Sequence, residues 1–413
     1  MVGLTVRRTR LILTVLAATA GLVATQNVPV GAGSLAYLKG GTAWVESRAS
    51  QGPRQVPNSR GAVLLTLSPT DGTLAFMTGP AGADISSEKV PPLRPWLSKP
   101  PYTKSVLLSS VVPGPTFTTV PARWLRWEGD GHALIAGSDG GNAGWNLAKR
   151  KTFLPNQSAL YQSTSRDGAV TATLGSVQSP DDVGVLLYGP GARPGTEVFT
   201  RRLPQNLMQA LKAAPQPSIR KFVGALDPRA QADDVSWTVT SPQVTRDGRR
   251  VYFASNAGYG VGSAGTTTSA IFEVGVGEVK LRVLGWLGTF AGSVLDVLPS
   301  PDGGKLLILL QRHDSNVQVN TFAYIADLGQ KTVREVIAGS APKGTLTMLN
   351  SSCWLADSRH VALSVAYPRP DDLNQENGFE PPASAYSLLV KEAGTGKTLR
   401  RVPGATGVDC GPG

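Results

Sequence analysis

The sequence predicts an all-β protein built from repeated four-stranded units, and three observations support that prediction. Glycine (47 residues) and proline (31 residues) are abundant without a collagen-like period, while charged residues make up only 17% of the chain. Short apolar segments alternate with tight turns that carry an aspartate. The two chain ends complement each other as parts of one unit. Because glycine supplies positive φ and proline presets φ, this composition suits many short strands joined by tight turns.

The repeat is clearest around Asp302, where the apolar run 294–298 precedes the turn 299–304 and the apolar run 305–310 follows it. Five more turns of this kind are centred on Asp71, Asp130, Asp167, Asp247 and Asp357. Aspartate caps a tight turn through its side chain, and the glycine that usually follows takes φ > 0. We interpret the six aspartates as structural turn residues. Calcium binding is the alternative, but each turn lacks the dense carboxylate pattern of a calcium loop.

Two further strand signals follow the best-defined turns. After Asp302 they occupy residues 321–326 and 332–337, and comparable pairs follow Asp247 and Asp357. Four strands per unit, repeated at this spacing, predict a β-propeller.

The ends of the chain predict how the ring closes. Segments 35–38, 42–45 and 54–56 resemble the last three strands of a unit, and segment 406–412 resembles an isolated first strand. Pairing these ends completes one blade and leaves no exposed sheet edge. The count is then seven blades, with six as the alternative because some spacings between turns are irregular.

Two insertions interrupt the repeat. Residues 79–105 are rich in proline and predict an extended loop, and residues 204–235 contain one short helical pattern at 205–214. Loops that project from a rigid scaffold often carry function, although a solvated connection is an equally good interpretation.

The N-terminus predicts export. Arg7, Arg8 and Arg10 precede an apolar run at 11–24, which is shorter than the roughly 20 residues of a membrane span. This pattern is typical of a secretory signal peptide. We assign residues 1–33 to a signal peptide or uncleaved N-terminal anchor, and residues 34–413 to a single propeller domain. The protein is then secreted or periplasmic, with membrane attachment only through the N-terminal segment.

Two cysteines are present, Cys353 and Cys410. An even pair in an exported protein predicts one disulfide, with two buried free thiols as the alternative. Cys353 lies on a predicted first strand, four residues before Asp357, and Cys410 lies on the closing first strand in a similar register. A disulfide between these neighbouring strands would fasten the ring.

The turn Ser300-Pro301-Asp302-Gly303, with the strand after it, resembles the repeat of the TolB-like propeller family, relatives of the WD-repeat proteins. Residues 245–253 and 355–363 are similar, and the resemblance covers most of the chain after residue 34. It implies a fold and not an activity. The family includes periplasmic scaffolds that bind protein partners and the propeller domains of peptidases. We find no counterpart here of the α/β domain of TolB or of the peptidases' hydrolase domain.

Apparent chemical motifs fit structural roles better. Residues 260–265 satisfy G-x-G-x-x-G, but a strand-like segment follows where a dinucleotide site needs a helix. Gly396-Lys397-Thr398 lacks the upstream glycine of a phosphate-binding loop and predicts a hairpin turn. The three histidines, His132, His313 and His360, lie beside turns or in a loop, and no G-x-S-x-G nucleophile elbow occurs. We therefore predict no catalytic, cofactor-binding or metal-binding residue.

The net charge of +11 is spread over short, scattered clusters, which predicts a solvated basic surface and no nucleic-acid partner. We expect a monomeric, non-enzymatic scaffold that binds a protein or peptide partner in the cell envelope. One alternative is a propeller hydrolase or lactonase with a metal ion in its channel. Another is a cell-wall or sugar-binding module that uses Trp124, Trp127 and Trp145. Convergent carboxylates at the channel mouth would favour the enzyme, and an apolar or basic rim would favour the binder.

Overall fold

The protein is represented by a computed structural model. The structure describes residues 33–47, 52–80, 83–85, 89–113, 119–138, 141–155, 162–176, 183–188, 236–259, 266–276, 280–290, 292–313, 319–337, 342–373 and 381–412. The leader, the helical pattern at 205–214 and the G-x-G-x-x-G segment lie outside these residues.

The described residues form seven antiparallel sheets, numbered here as blades in chain order. Blade 1 contains β1 (Leu35–Lys39), β2 (Thr42–Glu46), β3 (Arg54–Gln55) and, from the chain end, β29 (Ala405–Cys410). Blade 2 contains β4 (Ala62–Leu67), β5 (Leu74–Thr78), β6 (Pro92–Ser98), β7 (Ser105–Leu107) and β8 (Val120–Pro121). Blade 3 contains β9 (Trp124–Trp127), β10 (Ala133–Ser138), β11 (Gly141–Asn146) and β12 (Lys151–Phe153).

The remaining blades follow in order. Blade 4 contains β13 (Gln162–Thr164), β14 (Thr171–Ser176) and β15 (Val183–Tyr188). Blade 5 contains β16 (Ser236–Val239), β17 (Gln243–Val244), β18 (Arg250–Tyr259), β19 (Thr266–Gly275) and β20 (Lys280–Phe290). Blade 6 contains β21 (Gly292–Pro299), β22 (Lys305–His313), β23 (Val319–Asp327) and β24 (Thr332–Glu335). Blade 7 contains β25 (Met348–Trp354), β26 (His360–Ala366), β27 (Tyr386–Glu392) and β28 (Thr398–Pro403). One α-helical turn, α1 (Leu108–Val111), and the 3-10 turns Pro370–Asp372 and Ala383–Ala385 lie between strands.

The chain ends close the ring as predicted. Strand β29 pairs antiparallel with β1, with Leu35 opposite Cys410 and Lys39 opposite Ala405. Strand β29 also contacts β4 of blade 2 on one side and β25 of blade 7 on the other. The predicted all-β propeller with seven blades is therefore confirmed over the described residues, and no sheet edge is left open at the junction of the two ends.

The hydrophobic core lies between the blades. The described residues form six buried clusters, and each one joins two neighbouring blades. Along β18, Val251 and Phe253 pack toward blade 4, while Tyr252 and Ala254 pack toward blade 6. Because successive side chains of a strand point to opposite faces, a strand buried on both faces reads as a continuous apolar run. This explains why the middle strands gave the strongest sequence signal.

The predicted loop at residues 79–105 is wrong in part, because this segment contains β6 and the start of β7. Burial alternates along β6: Leu93, Pro95 and Leu97 are buried while Arg94 is exposed. On its outer side, β6 pairs with β8 only at Pro92 and Leu93 and with β7 only from Trp96 onward. Proline is tolerated in a strand where no neighbour needs its missing N–H, and Pro95 lies in this interruption.

Side chains of one blade satisfy the backbone of the next along the inner edge. The Leu67 N–H donates to the Asp409 carboxylate, and the Val244 N–H donates to the Ser163 hydroxyl oxygen. Trp127 and Trp354 donate their indole N–H groups to the carbonyls of Thr66 and Leu298, respectively, each in the preceding blade. These bonds pair groups that would otherwise be unsatisfied at the inner sheet edges.

Candidate functional site

A cavity of about 380 Å³ lies where the first strands of all seven blades meet, and every blade contributes to its wall. This is the end of the central channel at which each first strand turns into the second. A volume of this size lies at the lower end of the range of ligand pockets. It suits a short segment of chain or a small molecule better than a folded domain.

One residue per blade rims this cavity, each at the same place in the repeat, two residues after the last residue of the first strand. We call this set the mouth ring: Pro69, Gly129, Arg166, Arg246, Pro301, Ala356 and Pro412. Five members are proline, glycine or alanine, so most of the rim lacks polar side chains, and the three prolines restrict its backbone. The two arginines belong to blades 4 and 5, which are neighbours. The mouth is therefore cationic on one side only.

The two arginines are held close together. The Arg166 N–H donates to the Arg246 carbonyl at 3.2 Å. The Arg246 guanidinium reaches across the cavity and donates from Nη2 to the Pro69 carbonyl on blade 2 at 3.3 Å. Burial, followed by the neighbouring Arg166 charge, lowers the pKa of Arg246. The guanidinium groups therefore repel each other in a partly desolvated mouth.

Asp409 is the one carboxylate among the described residues of the cavity wall, and both of its oxygens are occupied. Its Oδ2 accepts hydrogen bonds from the Thr66 hydroxyl and the Leu67 N–H, both at 2.8 Å, and its Oδ1 accepts one from the Cys410 N–H. Burial raises the pKa of Asp409 although these three bonds oppose the rise. This carboxylate joins blade 1 to blade 2.

Asp296 plays a similar part between blades 5 and 6. Its Oδ1 accepts hydrogen bonds from the Val297 N–H at 2.8 Å and from the Gln243 amide at 3.3 Å. Asp296 is half-buried, and burial raises the pKa of its carboxyl to about 6.

The Asp296 carboxyl makes stability depend on pH. Since its pKa is higher in the folded state than the unfolded value of 3.8, its stabilising effect is complete below about pH 4 and is lost as pH rises toward 6. Asp296→Asn keeps the single acceptor oxygen and removes the charge. We expect this variant to gain about 2 kcal/mol relative to the wild type between pH 4 and pH 7. Chemical denaturation of the variant and the wild type at pH 4 and at pH 7 measures this. If the two proteins differ in free energy of unfolding by the same amount at both pH values, the expectation is wrong.

The turn aspartates are occupied within their own turns. Asp167, Asp247 and Asp302 each accept a hydrogen bond from a Ser or Thr hydroxyl two residues earlier and from a backbone N–H two residues later. Asp71, Asp130 and Asp357 also accept bonds from backbone N–H groups that follow them. The residue after each of the six has φ between 56° and 72°, and Ser358 replaces glycine in the last turn.

Cys353 and Cys410 form a disulfide bond in the cavity wall, with Cα atoms 5.7 Å apart. That separation is within the usual range for a disulfide. The bond joins β25 of blade 7 to β29 of blade 1, at the junction of the closing strand with its neighbour.

The other predicted residues lie away from the cavity. His360 contacts the Asp357 carboxylate through Nδ1 at 2.6 Å, and His132 is exposed beside its turn. The side chain of His313 is outside the described residues. Gly396 and Lys397 form the turn of the β27–β28 hairpin. Trp127 and Trp145 are buried in the blade core, and Trp124 is half-buried beneath the Arg126 guanidinium.

Among the residues that the structure describes, no group of three or more potential metal ligands is clustered. No helix in that same part of the chain is both long and apolar enough to cross a membrane.

The mouth ring was not predicted from the sequence. One feature of the sequence does point to it. When the six turns are aligned on their aspartates, Arg166 and Arg246 fall at the same position, directly before the aspartate. Only Arg166 and Arg246 are charged at that position. The sequence does not show that all of these turns converge at one end of the channel, and only that convergence brings the two arginines together.

No family model matches this sequence, and no curated protein matches it either. The structure is similar to the tricorn protease, with a TM-score of 0.50 and 9% identity over 90% of this chain and 34% of that chain. Weaker similarities include the propeller domain of the Trilobed protease from Pyrococcus furiosus (TM-score 0.44, 12% identity, 89% of this chain and 93% of that chain). They also include TolB from Agrobacterium tumefaciens (TM-score 0.37, 13% identity, 74% of this chain and 87% of that chain).

This chain thus spans about a third of the length of the tricorn protease. At such low identity the similarity concerns the fold alone. It agrees with the predicted resemblance to TolB-like propellers at the level of architecture, and it says nothing about activity.

Proposed function

We propose that this protein is an exported, non-enzymatic propeller scaffold that binds a protein or peptide partner in the cell envelope at its mouth ring. The composition of the rim carries this proposal. Five residues without polar side chains, three of them proline, and two arginines surround an open cavity. A rigid rim loses little conformational freedom on binding, which favours recognition by a preorganised surface.

The carboxylate of the wall supports binding over catalysis. A general acid or base must reach the group whose proton it transfers. Asp409 instead uses both oxygens to hold neighbouring strands. Serine and threonine hydroxyls of the turns are similarly engaged by their aspartates. The groups around the cavity are therefore arranged to keep the ring in shape.

Two features support the cellular setting. The predicted leader directs the chain out of the cytoplasm. The disulfide between the closing strand and blade 7 is of a kind that persists in oxidising compartments.

Site-specific photocrosslinking tests the proposal. A photoreactive residue replaces Pro301 in the mouth ring or, as the matched control, Thr395 at the exposed tip of the β27–β28 hairpin. We expect irradiated cells to yield a discrete adduct of an envelope protein with the Pro301 variant alone. Absence of any adduct, or equal adducts at both positions, would contradict binding at the mouth. Pull-down from the envelope fraction then identifies the partner.

A further inference from the structure

The positive charge of the mouth ring is not compensated. Within the described part of the chain, neither Arg166 nor Arg246 forms an ion pair. The aspartate that follows each of them is engaged in its own turn: Asp167 by the Ser165 hydroxyl at 2.6 Å and Asp247 by the Thr245 hydroxyl at 2.7 Å. Asp247 also faces Arg249 at 3.8 Å, outside the cavity. The two arginines thus line the cavity without an ion-pair partner, Arg246 half-buried and Arg166 exposed. Asp409, the one carboxylate of the described wall, is engaged by Thr66 and Leu67.

The Arg246 guanidinium donates a hydrogen bond to a neutral acceptor, the Pro69 carbonyl, and the donor–acceptor distance of 3.3 Å is long. A charged acceptor would make shorter and stronger hydrogen bonds. An anion between the two guanidinium groups would also relieve the repulsion that contributes to the lowered pKa of Arg246. The mouth is therefore suited to an anionic group.

We propose that the mouth ring binds a carboxylate carried by an extended polypeptide segment, with Arg166 and Arg246 as the groups that hold it. This inference rests on the proposed function and names the chemistry of the partner. Guanidinium groups match carboxylates through paired N–H donors. The carboxylate can come from a chain terminus or from an Asp or Glu side chain, because the two offer the same pair of oxygens.

The rest of the cavity fits a polypeptide better than a free small anion. Pro69, Pro301 and Pro412 provide apolar surface opposite and beside the arginines, against which side chains can pack. Deeper in the wall, the Ser352 hydroxyl is buried and has no hydrogen-bond partner among the described residues. A buried polar atom without a partner is rare in native proteins. A backbone amide of an inserted segment would pair with it.

Three octapeptides of glycine and serine, each carrying an uncharged dansyl label on its N-terminus, test this. The first ends in an amide and carries no carboxylate, the second has a free C-terminal carboxylate, and the third ends in an amide and contains two aspartates. Fluorescence anisotropy at low salt, where charge interactions are least screened, measures binding to the full protein. We expect the first peptide not to bind. Whichever of the other two binds identifies the source of the carboxylate.

Matched variants locate the site. The double variant Arg166→Gln with Arg246→Gln is expected to weaken binding by about tenfold or more, as loss of charge-assisted hydrogen bonds predicts. The control variant Arg249→Gln with Arg359→Gln removes the same charge outside the cavity and should change affinity by less than about twofold. Arg166→Gln alone should weaken binding about threefold, and because the Arg166 side chain is exposed, folding should be unaffected.

The inference is wrong if no carboxylate peptide binds, if the neutral peptide binds equally well, or if both double variants weaken binding alike. Crosslinking from position 301 separates this from the proposed function. If the adduct still forms when Arg166 and Arg246 are both replaced, the proposed scaffold function is retained and the carboxylate site is rejected. An adduct lost only in the mouth variant supports both. If the protein with the photoreactive residue at position 301 and both arginines intact gives no adduct, the proposed function fails. The peptide measurements alone then decide whether the carboxylate site exists.

Discussion

Replacing both cysteines, Cys353→Ala with Cys410→Ala, is expected to lower the free energy of unfolding by about 4 kcal/mol. The disulfide spans 57 residues of sequence, and cross-linking a loop of that length removes substantial entropy from the unfolded chain. The bond also lies at the junction where the closing strand β29 meets blade 7. Denaturation by guanidinium, read from the midpoint and slope of the transition, measures the loss.

The wild type provides its own control for this substitution. A reductant should lower the stability of the wild type to that of the double variant and leave the double variant unchanged. If the variant loses less than about 1 kcal/mol, the disulfide does not fasten the ring and the pairing of β29 with β1 suffices. Measurements at two heating rates would show whether unfolding is reversible, because irreversible unfolding reports a rate instead of an equilibrium.

The fold was predictable because its signals are local and repeated. A turn aspartate, a following residue with positive φ and apolar runs on either side recur in six blades, and that following residue is glycine in five of them. An irregular copy is therefore recognised from the others. The closing blade was also predictable, since three strand signals at one end and one at the other match a single unit. Repetition thus fixed both the architecture and the count of blades over the described residues.

The Pro-rich strand β6 was not predictable from its own sequence. Pro92 and Pro95 argue against a strand, because proline cannot donate to a ladder. The strand is possible because of residues distant in the sequence. Its outer neighbours β8 and β7 leave a gap opposite Pro95, where no backbone N–H is needed for pairing. Sequence periodicity shows the alternation of Leu93 and Leu97, but not the interruption that makes proline harmless there.

The candidate site was missed for a related reason. Arg166 and Arg246 stand far apart in the sequence, in clusters too short to suggest a binding surface. The closed ring of blades places every one of these turns at the same end of the channel, and this brings the two arginines close together. Asp409 shows the reverse case: near the end of the chain it looked like an ordinary strand residue, and only closure places it against Thr66 and Leu67.

Asp409→Ala is expected to lower the free energy of unfolding by about 3 kcal/mol. The substitution removes three hydrogen bonds to a carboxylate and leaves the Leu67 N–H at the inner edge of blade 2 without an acceptor. A donor left unpaired in a desolvated place costs free energy beyond the lost bond itself. The raised pKa of Asp409 shows that holding the charge in the wall has a cost, and relief of that cost offsets part of the loss.

Thr66→Val is the matched control, because it removes one donor to Asp409 and keeps the shape of the side chain. We expect it to cost about 1 kcal/mol, as for a single hydrogen bond. Because Asp409 is the acceptor for the Thr66 hydroxyl, the double variant should lose no more than Asp409→Ala alone. Simple additivity of the two losses would show that Thr66 and Asp409 act independently, and would leave only the Leu67 N–H to join this carboxylate to blade 2.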